Sequence, residues 1–283
     1  MPLAFSNGAI IETTFTSDGT KAQIISQWTN ALVAAGWGGS SGILTSGTTP
    51  QGFKIGMKAE DAGATCVRFR INGATINGNQ DFFLLPTNGQ LYRIWANKYQ
   101  YAIFRSGLDL TLTRACVFGG VPWIPDFLTT YLNVPDNYFG WIHGAGSTDT
   151  DTSRTEQSTL RAACFGQVVS GQNTSGACWI IRGTTQGAVN FVFCIGRFGG
   201  NAVSGSGAGI TKWDDLTWFL EEPFVNYAIS SVPYPAGLLW DACRVEKDFD
   251  GETRFLIGDF TWRVITHRTA SQYGNGTLLF LSP

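Results

Sequence analysis

Acid–base chemistry near neutral pH needs a side chain that can take up and release a proton there, and this sequence of 283 residues holds only two histidines. His143 sits in GWIHGAG and His267 in VITHRTA, each within or beside a strand-like run. A Ser-His-Asp or Cys-His site would have to use one of them, yet no GxSxG nucleophile elbow accompanies either. A histidine whose partner no motif supplies reads as a structural residue. Carboxylates are the other source of such chemistry. Asp149 and Asp151 lie in the polar stretch 146–159, Asp214-Asp215 and Glu221-Glu222 flank a candidate short helix at 212–220, and Asp248, Asp250 and Glu252 lie in KDFDGET. The DxDG fragment there resembles part of a calcium loop, whose close-set oxygens suit a hard cation. The rest of an EF-hand pattern and its terminal Glu are missing, so a hairpin turn at Asp250-Gly251 is the plainer reading. No spacing selects a carboxylate pair for glycoside hydrolysis, which is the weakest of the readings kept.

The remaining chemistry is that of surfaces. Gly-rich segments such as 196–209 carry neither GxxxxGK[ST] nor a GxGxxG that opens a helix, so they read as loops and not phosphate cradles. Trp141, Trp213 and Trp240 adjoin polar turns and could stack on sugars, but large aromatics more often supply buried area inside a core or between subunits. The candidate packing and interaction residues are therefore Trp28, Trp95, Tyr99, Tyr101, Trp123, Trp141, Trp213 and Trp240. No catalytic residue, cofactor or metal ion is expected. Cys66, Cys116, Cys164, Cys178, Cys194 and Cys243 form no CxxC pair and sit mostly in apolar runs, which suits buried free thiols.

The elements that must position these side chains are mainly strands. Residues 85–107, LPTNGQLYRIWANKYQYAIFRSG, show the clearest periodicity: Asn88-Gly89 is a type I′ hairpin signal, and two alternating runs follow, joined at Asn97-Lys98. Tyr99, Tyr101 and Ile103 are expected on one face and Gln100, Ala102 and Phe104 on the other. Neither face is polar, so the ribbon is expected to be covered on both sides. Before it comes one convincing helix, predicted over 18–36. Ser17 or Asp18 can cap it, Ile24, Ile25, Trp28, Leu32 and Ala35 share a face, and Gly36 suits the left-handed position past its end. An edge strand ending near Phe15 precedes the helix, and strands are expected at 43–45, 52–58, 65–71 and 82–85, separated by turn residues. Later strands are expected at 111–119, around YFGWIHG, and at 178–182, 191–195, 254–257, 262–266 and 278–281, with a short helix from Asp126 through Tyr131.

The fold class expected is α+β, predominantly antiparallel β. An α+β unit at 1–120, one helix packed on a β-meander, is followed by a β-rich unit at 121–283 with long Gly/Ser/Thr loops. Charged residues are only 14%, Gly numbers 35, aromatics reach 13%, and the formal charge is −2, which gives no general attraction to nucleic acid or anionic lipid. MPLAFSNGAIIETTF lacks the pattern of a secretory signal and no stretch approaches the roughly 20 apolar residues of a membrane span, so a soluble protein made in a cytosol is expected.

With those residues in view, the sequence resembles structural proteins of tailed bacteriophages, of the tail or baseplate kind. The resemblance is carried by SQWTNALVAAGW at 26–37, SGTTPQGFKI at 46–55, LYRIWANKYQYAIF at 91–104 and ACVFGGVPWIPDFL at 115–128. It covers roughly the first half of the chain. It implies a non-enzymatic virion component made in the host cytoplasm and assembled as a symmetric oligomer with copies of itself and other virion proteins. It transfers no catalytic residues. A carbohydrate-binding host-recognition adhesin, with host-surface glycan as partner, is the alternative.

Overall fold

A computed structural model describes residues 5–40, 42–50, 54–61, 66–71, 82–106, 114–119, 139–143, 178–182, 189–196, 224–229, 232–238, 240–245, 254–264 and 277–283. Among these there is one α-helix, and every strand pairing is antiparallel, so the α+β, β-rich class holds. No helix among the described residues is long and apolar enough to cross a membrane.

The chain opens with β1 (Ile11–Thr16) and α1 (Lys21–Ala34). The helix is shorter at its start than the spacing predicts, because Thr20 and not Ser17 or Asp18 is the cap. The Thr20 side chain accepts from the Gln23 N–H, while Asp18 serves the turn before it by accepting from the Thr20 N–H and hydroxyl. The end is as expected. Gly36 takes φ +96°, its N–H donates to Val33 O, and the Trp37 N–H donates to Leu32 O, which together make a Schellman motif. Trp37 and Leu32 both enter the core, the apolar contact that accompanies this cap.

Five short strands follow as a meander: β2 (Gly38–Ser40), β3 (Ile43–Thr45), β4 (Gly56–Asp61), β5 (Val67–Ile71) and β6 (Phe82–Leu84). Along β4, Met57 and Ala59 are buried whereas Lys58 and Glu60 are partly exposed, the period-2 pattern of a sheet with one wet face. The chain then enters a second sheet through β7 (Leu91–Ala96) and β8 (Gln100–Ser106). The Asn88-Gly89 turn is therefore not a hairpin: it links two sheets. Only Gly89 has positive φ, and Gln90 N–H donates to Thr87 O, so the turn follows the type II pattern, which needs φ > 0 at its third residue alone.

Among the described residues the second sheet has nine strands. β1 pairs with β7, and β7 and β8 continue into β9 (Arg114–Gly119), β10 (Phe139–His143), β11 (Cys178–Arg182), β12 (Val189–Gly196), β13 (Phe224–Ile229) and β14 (Val232–Leu238) in sequence order. β9 and β10 pair directly, Ile142 opposite Phe118, so the ladder runs across the region near residue 120. A third sheet holds β15 (Ala242–Val245), β16 (Arg254–Ile257), β17 (Phe260–Val264) and β18 (Thr277–Leu281) in the order β15-β18-β17-β16. Strands β13, β14 and β15 have no counterpart in the pattern reading. The proposed helices at 126–131 and 212–220 and the Asp250-Gly251 turn lie outside the described residues.

One core joins the helix to the first two sheets. Ile24, Trp28, Ala31 and Leu32 from α1 and its C-cap Ala35 meet Leu44, Met57, Ala59, Val67, Phe69 and Leu84 from the meander and Tyr92, Ile94, Ala96, Tyr101 and Ile103 from β7 and β8. Trp28 is its centre, edge-on to Phe69 at 5.7 Å and to Tyr101 at 5.6 Å, and each such pair contributes about 1 kcal/mol beyond the area it buries.

On the wet face of the meander, Glu60 accepts from Arg68 and pairs with Lys58. Burial alone would raise its carboxyl, but the bonds from Lys58 and Arg68 outweigh that and hold it below the usual carboxylate range. A lowered folded-state value means stability that is complete above the unfolded value of 4.5 and is lost as pH falls through the folded one. Denaturant melts at pH 6 and pH 3 should show Glu60→Gln less stable than the parent at the higher pH and no worse at the lower.

Candidate functional site

Of the residues singled out by sequence, Trp95 and Tyr101 lie on the β7–β8 hairpin and Tyr99 in its turn, with Trp28 and Trp240 packed against them; the alternation of the hairpin leaves no wet face. Along β7 every residue after Leu91 is buried. Tyr92, Ile94 and Ala96 face the helix core, while Arg93 and Trp95 face the third sheet, so the double cover expected from the sequence is present. Two strands apolar on both sides can avoid water only if a layer lies on each.

The third sheet meets the hairpin through Trp95. Its indole packs on Phe280 at 4.3 Å between ring centroids, and its N–H donates to Leu281 O at 2.8 Å. A buried Trp thus gains an apolar neighbour for the ring and an acceptor for its one donor.

Beside it lies a buried ion cluster. Glu12 on β1 faces Arg93 Nε at 3.3 Å and Arg263 Nε on β17 at 2.6 Å, and the three side chains are only 7%, 6% and 8% exposed. Arg93 Nε also donates to Thr14 Oγ1 at 3.2 Å, and Ser282 Oγ donates to Glu12 Oε2 at 3.2 Å. One carboxylate therefore joins the edge strand, its neighbour and the third sheet.

The far end of the hairpin carries a second polar cluster. Asn97 Oδ1 accepts from the N–H groups of Tyr99 and Gln100, which closes the turn, and Asn97 Nδ2 donates to Asp241 Oδ2 at 2.8 Å. Asp241, held at φ +53°, also accepts from the Ser6 N–H and hydroxyl. Gln100 clasps the next residue back: its Nε2 donates to Trp240 O at 2.6 Å and its Oε1 accepts from the Trp240 N–H at 3.2 Å. Trp37 Nε1 donates to Asn97 O and the Gly47 N–H to Lys98 O, so the same turn is tied to the helix end and to the meander.

Of the sequence candidates, Trp28, Trp95 and Tyr101 are fully buried and Tyr99 nearly so. Tyr99 does not share the face of Tyr101 and Ile103. The turn extends through residue 99, strand alternation begins at Gln100, and the Tyr99 ring instead packs on Trp240 at 5.1 Å. Trp240 is partly exposed. Trp141 and His143 lie on β10, where the backbone alone is described. Trp123, Trp213, His267, Asp149, Asp151, Asp214, Asp215, Glu221, Glu222, Asp248, Asp250 and Glu252 lie outside the described residues. Cys66 and Cys243 are buried and lie outside any disulfide, and burial pushes the Cys243 thiol far above the ordinary range, which makes it inert at neutral pH.

The residues that sequence reading missed are Glu12, Arg93, Arg263, Asp241 and Ser6. A signal was there for the arginines: each stands between large apolar residues on a strand, Tyr92 and Ile94 or Trp262 and Val264, where a charge needs a buried partner. In comparisons with known proteins, no family model matches the sequence and no curated protein matches it.

The ion cluster yields a direct test. Glu12→Gln leaves two buried guanidiniums without their shared countercharge and should lower unfolding stability by about 3–5 kcal/mol. Glu12→Leu combined with Arg263→Met should cost clearly less than the sum of the two single changes, measured by denaturant melts in a double-mutant cycle.

Proposed function

We propose that this protein is a non-enzymatic structural component of a phage virion, of the tail or baseplate kind, working as a symmetric oligomer with copies of itself and other virion proteins. The observation that carries the reading is the use of its chemistry-bearing residues. Trp28, Trp95, Tyr99 and Tyr101 are buried in packing, and the buried charged and polar groups around the hairpin join sheets to one another. A scaffold of this kind resists opening at any single layer, which suits a particle that must persist outside its host. The ordered motifs at 26–37, 46–55, 91–104 and 115–128 supply the resemblance to tail and baseplate proteins, and the first and third of them coincide with the helix and its cap and with the β7–β8 hairpin.

Mass spectrometry of gradient-purified virions should detect the chain at a copy number in simple ratio to the tail proteins. Its absence from intact particles rejects the proposal.

A second reading, a glycan-binding adhesin of the tail, draws on the partly exposed Trp240 ring set against Tyr99 with Lys98 Nζ 4.9 Å from the Tyr99 centroid. Under it, the protein binds host-surface glycans and Trp240→Ala weakens binding at least tenfold on a glycan array, the loss expected of one stacking platform. Unchanged binding in that variant removes this second reading.

A further inference from the structure

The nine-stranded and four-stranded sheets treat their outer edges in opposite ways. Among the described strands β14 ends the large sheet, and it follows β13 after two intervening residues with Ile229 opposite Val232. A two-residue connection makes that closing pair the hydrogen-bonded one. The next position, Pro233 opposite Ala228, then directs its backbone groups outward, and Pro235 opposite Asn226 does the same. Both positions lack an N–H, so this edge offers a further strand little to bond.

Strand β16 ends the small sheet without that protection. Its hairpin to β17 turns through Gly258-Asp259, with Gly258 at φ +61° and Ile257 opposite Phe260. By the same geometry Arg254 and Leu256 turn their N–H and C=O groups away from β17, and no strand among the described residues pairs with that edge. The Leu256 side chain is 77% exposed, the most exposed large apolar residue among those described, and Phe260 beside the turn is 45% exposed.

We propose that the outer edge of β16 is a contact between two copies of this chain, formed by antiparallel pairing of β16 with β16 of the second copy about a two-fold axis at Leu256. The inference goes beyond the virion reading and does not depend on it. Three features of the edge select a second copy in this register. Outward-facing positions must meet outward-facing positions, and among the registers this allows the one about Leu256 sets the exposed leucine against its own counterpart and buries it there. Phe255 then stands opposite Ile257 of the other copy, an aromatic against a β-branched residue. Arg254 falls opposite Gly258 of the other copy, beside Asp259, so each exposed guanidinium meets an exposed carboxylate at both ends of the contact. The alternative register about Phe255 sets Leu256 against Arg254 and leaves Asp259 without that partner. The contact is short. It buries less than the roughly 1,200 Å² of a standard interface, so it gives a weak dimer in solution and adds to other contacts in an assembly.

Sedimentation equilibrium of the full chain over a range up to about 1 mM should show monomer–dimer exchange in the range expected for so small an interface. Leu256→Pro removes the outward N–H as Pro233 and Pro235 do on β14, and Leu256→Lys sets two cations face to face; each should weaken the dimer at least tenfold, by rough expectation for a blunted edge. Far-UV and near-UV circular dichroism check that both variants are folded, and either one alone suffices if the other fails to fold. Arg254→Asp and Asp259→Arg should each weaken association, and the two together should restore it, because the swap rebuilds the pair with its signs exchanged. A chain that stays monomeric over the whole range overturns the proposal. So does a dimer that folded Leu256 variants leave intact, or a charge swap that fails to restore it.

Discussion

A β-ribbon that is apolar on both faces cannot stand with either face in water, and the architecture follows from that constraint on β7 and β8. Tyr92, Ile94, Tyr101 and Ile103 require a layer on one side, which α1 and the meander provide together. Trp95 requires a layer on the other, which β18 provides through Phe280 and Leu281. The helix alone could not cover its side. A helix presents a stripe of apolar residues, whereas two strands present a plane, so Trp37, Phe69 and Met57 extend the cover past the helix flanks. The helix consequently buries one stripe, Ile24, Trp28, Ala31 and Leu32, against residues from both sheets.

Once the hairpin is sandwiched, its polar groups have to find partners in the layers above and below. Asn97 illustrates the economy of this: its oxygen holds the turn shut from inside, and its amide reaches Asp241 at the start of the third sheet. Gln100 makes a paired contact with the backbone of Trp240, which mimics one rung of a ladder between segments that are not strand neighbours. Leu281 N–H to Asp241 O and Ser282 N–H to Thr261 O then fix the last strand against both. Each bond is worth about 1 kcal/mol net, yet an unmade partner in this dry setting would cost more, so the cluster acts chiefly to exclude other arrangements.

What could be read in advance was local. The alternation in LYRIWA and YQYAIF, the 3.6-residue spacing of Ile24, Trp28 and Leu32, and the glycine at 36 each depend on residues within a few positions of one another. They are also the features that the structure returns nearly unchanged. The Thr20 cap was missed because Ser17, Asp18 and Thr20 are all competent caps, and the choice is made by Asp18, which folds back onto Thr20 and leaves it first in line. Asn88-Gly89 suggested a hairpin because its chemistry permits one. Whether the flanking strands pair with each other or with β5 and β1 is decided by the core, which no dipeptide contains. Strand β14 depends on its place in the same way: Pro233 and Pro235 count against a strand locally, and only the sheet's edge makes room for them.

The ion cluster shows why such long-range choices stay unique. A buried pair of charges is a poor source of net stability, because desolvation offsets most of the attraction. Its effect on register is another matter. Side chains alternate across a strand, so sliding β17 by one residue would turn Arg263 to the opposite face and bring Trp262 over Glu12. That slip would strand a carboxylate beneath an indole and remove the guanidinium that approaches it at 2.6 Å. An apolar contact in the same place would tolerate the slip, since Trp262 or Val264 would bring another apolar side chain there. Glu12 also sits on the edge strand of one sheet, between Arg93 on the neighbouring strand and Arg263 in the other sheet, so the same penalty locks the stacking of two sheets as well as the pairing within each. Aromatic packing supplies the cohesion of this protein, and a few buried charges decide which of the packed arrangements it adopts.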